Sequence, residues 1–429
     1  AAARSGGSGH ASSGRGGSGA AATQGSLQCP PGTGTGSPGV TPNEIQVAAV
    51  SSRTGPISAD FDGLVPGLQA YLKTVDAGGG VGGRKIVLAD NLDDAGLPSQ
   101  FSSASHTAID QDHALAVAVS SYWFTPTYFV ATCTPTYGYN VDGNWTKAPN
   151  LFAASGSVQT YDTIVPAVAY LIDHVKAKAV GVLAYNLSTS NAVCKAAIRR
   201  LKKAGYDIAY TDLKLPPINA NVTPDVERMQ HAGVDFVLSC MTVTGNVSMA
   251  RAIKQYGLKV KQLWFDGADQ SVVDKYSGLL QGVYFNVQHV PASAVAKYPG
   301  TYPGMAAYLK SMKKYEPSFV GSELAVQGWE SAALMVAGIR AAGHHLTQAG
   351  LVTATNHLRH FTAGGLIEPV DWSNAHTSVG KVNCSAFEQV KGKKVVPALG
   401  RGHQVFVCFT RARVHHPSPV KPPAGTPGS

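Results

Sequence analysis

The chain has 429 residues, of which 44% are hydrophobic and 14% are charged, and its formal net charge is +9. A chain of this length and apolar content can bury a sizeable core in two or three domains, which excludes a coiled coil, a small stapled scaffold and a disordered acidic tail. The positive charge does not indicate nucleic-acid binding, because two of the nine charges lie in the acid-free stretch 1–42, three lie in 410–429, and the lysines between them alternate with acids.

Both ends of the chain have the composition of unfolded segments. Residues 1–42 are almost wholly Gly, Ser, Ala, Thr and Pro, which predicts a disordered leader, and the Pro-rich residues 411–429 predict a disordered tail. The sequence starts with neither Met nor the apolar core of a signal peptide, and it contains no run of 18 apolar residues. We therefore expect a soluble, already processed protein whose folded unit spans about 43–410.

Within that unit, short apolar runs alternate with longer segments of helical periodicity. The predicted strands are 45–50, 85–89, 115–119, 179–184, 207–213, 236–239, 262–265 and 282–285. The predicted helices are 64–76, 99–110, 160–175, 191–204, 223–232, 247–256, 302–315 and 323–342. This alternation predicts an α/β protein with parallel sheets covered by helices on both faces. The number of units suits two sheets, with a break near 153–157, and the C-terminal stretch 379–409 is predicted to contain a hairpin turning at 391–393.

The motifs of common enzyme classes are missing. The glycine cluster 78–83 follows a helix and precedes a strand, the reverse of the dinucleotide-binding order, so it predicts a turn. No P-loop, zincin or nucleophile-elbow motif occurs. The adjacent histidine pairs at 344–345 and 415–416 lack the spacing of a metal clamp, so we predict neither a metal site nor a cofactor.

Candidate ligand-binding residues follow the predicted strands, because open parallel sheets bind ligands at the carboxyl ends of their strands. Hydroxyls and backbone N–H groups there suit an anionic group, aromatic rings supply an apolar wall, and Asp266 suits an ammonium group. Two alternatives stay open: the aromatic residues pack against their own lobe, or Asp266 caps a helix. The candidates are Arg53, Thr54, Ser120, Ser121, Tyr122, Trp123, Tyr185, Thr242 and Asp266.

Several stretches together resemble the type I periplasmic solute-binding proteins, the group that includes branched-chain amino-acid receptors of ABC importers. The most specific are Glu44–Val47, Ser52–Pro56, Gly80–Ile86 with the acidic pair Asp93–Asp94, and Gly328–Ala332. The resemblance implies two doubly wound lobes joined by three crossovers, hinge closure on a small ligand, and no catalysis. It implies that lobe 1 comprises 43–155 and 290–360, and that lobe 2 comprises 156–289 and 361–410.

The same resemblance assigns roles at the site. Ser121 matches the position whose hydroxyl holds a ligand carboxylate, and Asp266 matches the acid that takes the ammonium. The implied partners are an amino-acid-like or amide-like molecule and an ABC permease, and the protein is expected to be a monomer outside the cytoplasm. The low-complexity composition of the leader separately suggests a tether. The family's aromatic-Gly pair is missing near Ser190, and 132–147 departs from the usual pattern, so the ligand stays open. A nucleotide-using enzyme on a similar fold and a non-transport sensor are the rival hypotheses.

The six cysteines show no metal-binding spacing, and an even, dispersed set favours an oxidising compartment. Six buried thiols in a cytosolic protein remain the alternative. Cys384 and Cys408 lie on the two arms of the predicted hairpin, and Cys194 and Cys240 lie just past neighbouring strand ends. These placements predict the pairs Cys384–Cys408 and Cys194–Cys240, which leaves Cys29 for Cys133.

Overall fold

The computed structural model describes residues 28–428 except 56, 57, 59, 60, 141, 142, 147, 159 and 160. Residues 1–27 of the predicted leader, Pro56 of the predicted loop and Thr160 of a predicted helix therefore lie outside the described residues. The strands are β1 Glu44–Ser51, β2 Lys85–Asp93, β3 Ala116–Ser120, β4 Thr136–Gly138, β5 Leu151–Ala153, β6 Ala179–Tyr185, β7 Asp207–Leu215, β8 Phe236–Cys240, β9 Lys261–Trp264, β10 Tyr284–Val287, β11 Val382–Lys391, β12 Lys394–Ala398 and β13 Phe406–Thr410. The helices are α1 Leu64–Ala77, α2 Pro98–His106, α3 Thr127–Thr132, α4 Val165–His174, α5 Ser188–Lys203, α6 Thr223–His231, α7 Val243–Tyr256, α8 Gln270–Tyr276, α9 Ala292–Lys297, α10 Pro303–Tyr315, α11 Glu323–Ala342 and α12 Gln348–Asn356.

The strands form two sheets with one shared topology. The first sheet is parallel, in the order β2, β1, β3, β4, β5. The second has the order β12, β11, β10, β9, β8, β6, β7, in which β6 to β10 are parallel and β11 and β12 are antiparallel. Because β2-β1-β3-β4-β5 corresponds to β7-β6-β8-β9-β10, the predicted α/β class with two doubly wound lobes is confirmed.

The central strands are buried on both faces, as parallel strands between helix layers are. Ile45, Val47 and Val50 of β1 are fully buried, and so are Val117 and Val119 of β3. One apolar cluster joins the first sheet to α1, α11 and α12, and another lies on the side of α2. The second sheet likewise has a cluster on each face.

Some elements were not predicted because they are short. Strands β4 and β5 have three residues each, too few for an alternation pattern to be recognised. Helices α3, α8 and α9 span six or seven residues, and α12 spans nine. All four connect or cover predicted elements, so their absence from the prediction does not change the topology.

Two segments that follow the predicted lobe boundaries still contact the preceding lobe. Helix α9 packs on the second lobe, since Ser293 Oγ donates to Glu388 Oε1 of β11 at 2.6 Å. In the third crossover, Trp372 is fully buried in the first lobe's core, with its ring centroid 5.1 Å from that of Phe152. The lobe boundaries at 290 and 361 stay predictions, and these contacts show only that α9 touches β11 and that Trp372 packs in the first lobe's core.

Both ends of the described chain pack against the protein, which corrects the prediction that 28–42 and 411–428 are disordered. Near the start, the N–H groups of Gln348 and Ala349 donate to carbonyls of Gly36 and Gly34 at 3.1 and 2.7 Å. After β13, Val414 is buried, and the Val420 N–H donates to the Cys408 carbonyl at 2.8 Å. Composition alone misses these contacts because they are made by the backbone, which every residue type carries.

Three disulfides join Cys29 to Cys133, Cys194 to Cys240 and Cys384 to Cys408, the same pairs that the sequence predicts. The predicted hairpin is present as β11 and β12. Cys408, however, lies on β13, where it stands directly opposite Cys384 of β11. Among the described residues, no helix is both long enough and apolar enough to cross a membrane.

Candidate functional site

The loop after β1 is held by the end of β2. The N–H groups of Arg53 and Thr54 donate to Asp93 Oδ1 at 3.0 and 3.2 Å, and Thr54 Oγ1 donates to Oδ2 at 2.7 Å. Burial opposes ionisation of Asp93, but these hydrogen bonds prevail and lower its pKa below the ordinary value. Asp93 is therefore a charged carboxylate at this edge of the first sheet.

The loop after β3 is built around a second carboxylate. Ser121 Oγ donates to Asp94 Oδ2 and accepts the Trp123 N–H at 3.0 Å, and both Ser121 and Asp94 are buried. Ser120 is also buried, and its hydroxyl donates to the Phe61 carbonyl at 3.2 Å. The hydroxyl protons of both serines are thus already bound within the first lobe.

The aromatic residues of this loop divide between core and surface. Phe124 is buried and stacks on Trp145 with centroids 4.5 Å apart. Trp123 is 37% exposed, its indole N–H donates to the Gly96 carbonyl at 2.7 Å, and its ring meets that of Tyr122 edge to face. Trp123 and Tyr122 thus present an aromatic surface, while Phe124 packs in its own lobe.

In the second lobe, three of the predicted residues lie at the ends of β6, β8 and β9. Tyr185 Oη and Thr242 Oγ1 are 3.1 Å apart. Asp266 Oδ2 accepts the Val243 N–H at the start of α7, 3.1 Å away. Burial raises the pKa of Asp266 to about 6 against the opposing effect of the N–H groups of Val243 and Gly267. Asp266 is therefore a half-buried, ionisable carboxylate that also accepts a hydrogen bond from the first residue of α7. This contact agrees in part with the alternative that Asp266 caps a helix.

Further acidic residues, which the sequence analysis did not select, lie where the two lobes meet. Asp269, in the loop after β9, accepts the N–H of Glu323, the first residue of α11, at 2.6 Å. Burial, with the charges of Asp266 and Asp62, raises the pKa of Asp269 to about 7 although its hydrogen bond from Glu323 opposes this. Asp62 precedes α1 in the first lobe, so carboxylates from both lobes face one another here. The only sequence signal was the recurrence of Asp after strand ends.

The pH dependence of stability provides a test of this acidic arrangement. Burial, with a smaller contribution from Asp269, raises the pKa of Glu388 from 4.5 to about 7. The folded protein therefore holds this proton more tightly than the unfolded chain, and stability falls as the pH rises from about 4.5 to 7. We expect Glu388→Gln, which keeps an acceptor for Ser293, to raise the free energy of unfolding by roughly 1–3 kcal/mol at pH 8 and to leave it unchanged at pH 4.

Urea denaturation at both pH values measures this effect. Glu227→Gln, at an exposed position of α6, is the matched control and is expected to show no such difference. Equal stability of the wild type and Glu388→Gln at pH 8 would contradict the prediction.

Possible metal ligands converge at one place among the described residues. Glu368, Cys384 and Cys408 offer atoms within 4.8 Å of one another. Both sulfurs belong to a disulfide and cannot act as thiolate ligands.

Two α/β lobes joined by crossovers, with polar residues at facing sheet edges, define a protein of the two-lobed ligand-binding class. The family model described as "Periplasmic binding protein" matches residues 44–394. The chain belongs to this family, whose members are substrate-binding proteins of ABC transporters, act outside the cytoplasm and bind solutes.

Solved structures show the same fold at low sequence identity. A Thermus thermophilus branched chain amino acid ABC transporter protein with bound valine is 17% identical with a TM-score of 0.68, covering 83% of this chain and 96% of that one. A fatty acid ABC transporter substrate-binding protein from Thermomonospora curvata is 16% identical with a TM-score of 0.69, covering 86% and 93%. A solute binding protein from R. palustris in complex with benzoate is 15% identical with a TM-score of 0.68, covering 85% and 98%. No curated protein matches this sequence.

Proposed function

We propose that this chain is the solute receptor of an ABC importer, which captures a small amine-bearing molecule between its lobes and delivers it to a membrane permease. Amino acids are the first class to test, since the Thermus thermophilus protein holds valine. The receptor works as a monomer outside the cytoplasm and carries out no catalytic step. Closure is a population shift, stabilised when the ligand contacts both lobes.

The observation that supports an amine most directly is the placement of Asp266. Its carboxylate lies at the end of β9, next to the Tyr185–Thr242 pair of the same sheet edge, and no ion pair of the described residues includes it. An ammonium group would supply both the missing counter-charge and hydrogen-bond donors. Tyr122 and Trp123 would then contact the apolar part of the ligand from the first lobe.

The carboxylate half of an amino acid has less support. The hydroxyl proton of Ser121 is already donated to Asp94, so a ligand carboxylate would have to displace that bond. Arg53 is exposed and is the remaining cation among the predicted residues. An amino acid would therefore depend on Arg53 for its anionic end.

The test begins with a thermal-shift screen of leucine, valine, lysine, simple amines, amides, polyols and nucleotides, because a ligand at 100 times its Kd stabilises by about 2.7 kcal/mol. For an amine-bearing hit, we expect Asp266→Asn to weaken binding at least about tenfold at pH 8, since the ammonium loses its counter-charge while Val243 keeps an acceptor. Calorimetry measures this, with Asp274→Asn on the exposed side of α8 as the control. Unchanged affinity in Asp266→Asn would remove Asp266 from the site, and a response to nucleotides alone would contradict the proposed function.

A further inference from the structure

Carboxylates from four segments meet between the lobes, and we call them the interlobe acidic cluster. Its members are Asp62, Asp266, Asp269, Glu323, Glu330 and Glu388. The hydrogen bond from the Glu323 N–H to Asp269 at 2.6 Å ties the loop after β9 directly to the start of α11. The pKa of Glu323 is raised well above its ordinary value, by burial first and then by the negative charges of Asp266, Asp269, Glu388 and Glu330.

Glu330 extends this cluster into the protein. It lies seven residues after Glu323 on α11, so the two side chains share one helix face, and helical side chains lean towards the N-terminus, here towards Glu323. Glu330 is only 4% exposed, and its Oε1 has no hydrogen-bond partner among the described residues. A buried carboxylate oxygen without a donor is costly, so this position calls for a group that donates to it.

Among the described residues, no Lys, Arg or His forms an ion pair with a member of the cluster. The ion pairs that the described residues form all involve other acids. Nor is the spacing that of a metal site, because the described residues bring no three of these carboxylates within 4.8 Å of one another. The oxygens around a single Ca²⁺ or Mg²⁺ ion lie at about 2.0–2.6 Å from it and hence much closer together. Separated carboxylates suit an extended organic cation better than a metal ion.

The first lobe also disfavours an anionic ligand. Thr54 Oγ1 donates to Asp93 and Ser121 Oγ donates to Asp94, so two of the three hydroxyls predicted to bind a ligand carboxylate are already bound to carboxylates, and the third, that of Ser120, donates to the Phe61 carbonyl. A ligand carboxylate placed there would meet two negative charges. The acidic groups of both lobes thus favour a cationic ligand over an anionic one.

We propose that the ligand is an organic dication without a carboxylate, such as an aliphatic diamine, with one ammonium at Asp266 and the second among Asp269, Glu323 and Glu330. This inference rests on the proposed function, because it names the ligand class of the same receptor. The second ammonium donates hydrogen bonds to the unpartnered Glu330 oxygen. Its positive charge also balances the carboxylates of α11 and of the loop after β9. Closure would then bring both lobes onto one ligand.

Matched compounds test the proposal by calorimetry at pH 8. The probes are the diamines from 1,3-diaminopropane to 1,6-diaminohexane, each with its monoamine and ω-amino acid of equal chain length, and lysine. We expect the best diamine to bind at least about tenfold more tightly than its monoamine, its ω-amino acid or lysine. Tighter binding of lysine or of an ω-amino acid would overturn the inference and leave the proposed function standing. Binding of none of these amines would overturn the inference, and a nucleotide response in the earlier screen would separately overturn the proposed function.

Variants of α11 locate the second ammonium. Glu323→Gln and Glu330→Gln are each expected to reduce diamine affinity about tenfold towards that of the monoamine, while monoamine affinity stays unchanged. Glutamine is nearly isosteric and removes a repulsive charge, so folding is retained, and circular dichroism checks this. Glu227→Gln on α6 is the control. If both α11 variants bound the diamine as the wild type does, the assignment of the second ammonium to this cluster would be wrong.

Discussion

Replacing Gly328 by Ala is expected to lower the free energy of unfolding by about 3 kcal/mol or more, because α1 and α11 touch through their backbones. A Cβ atom at Gly328 would lie 1.8 Å from the Leu64 carbonyl oxygen. The reciprocal contact is equally close, since a Cβ at Gly67 of α1 would lie 1.9 Å from the Ala325 carbonyl oxygen. Neither obstacle is a flexible side chain, so one helix must move.

In a helix without such a contact, replacing Gly by Ala normally stabilises the helix by about 1 kcal/mol. A loss of stability in Gly328→Ala would therefore come from the close packing of the two helices. Urea denaturation measures it, and Gly278→Ala, where the added Cβ would meet no atom within 4 Å, is the control expected to change stability by less than about 0.5 kcal/mol. Gly67→Ala should cost a similar amount, and the double variant less than the sum, because both relieve the same overlap by one shift. A neutral or stabilised Gly328→Ala protein would show that the helices do not pack this closely.

Trp372→Ala is expected to cost about 3–5 kcal/mol of stability and to loosen the third crossover. The indole is fully buried, with ring centroids 5.1 Å from Phe152 and 5.2 Å from His376. His376 in turn places Nε2 2.7 Å from Asn356 Oδ1 at the end of α12. Removing Trp372 therefore opens a cavity beneath the segment that carries the chain from α12 to the second lobe.

Trp372→Phe separates packing from the loss of a polar group. It keeps an aromatic ring and removes an indole N–H that has no hydrogen-bond partner among the described residues, so we expect less than half the cost of Trp372→Ala. Hydrogen exchange should show faster exchange at 371–378 in the alanine variant and little change in the phenylalanine variant. Equal losses in the two variants would mean that ring packing does not fix this crossover.

The sequence predicts the two-lobed architecture well because buried parallel strands leave a strong pattern. Between Ile45 and Val50 every residue except Gln46 is apolar, and the helix after this strand repeats apolar residues at helical spacing. The same reasoning fails for β4 and β5, which have no room for a pattern. It also fails for 411–428, since a Pro-rich segment can be held by backbone hydrogen bonds that composition does not reveal.

The candidate site is predictable only in part. Strand ends direct attention to Ser121 and Asp266, because topology brings the carboxyl ends of parallel strands to one edge. They do not reveal that Asp94 takes the Ser121 proton, or that Asp269 meets Glu323 from the other lobe. Those contacts join positions far apart in the chain, so no local pattern can report them.

The packed ends of the described chain have a practical consequence. The segment around Ser37 is fixed to the first lobe through α12 and the Cys29–Cys133 disulfide, whereas the segment around Ser418 is fixed to the second lobe through β13. Both serines are exposed. A fluorescent donor at one and an acceptor at the other would report rotation of the lobes as a change in energy transfer. The chain would then be an optical sensor for whatever molecule it binds.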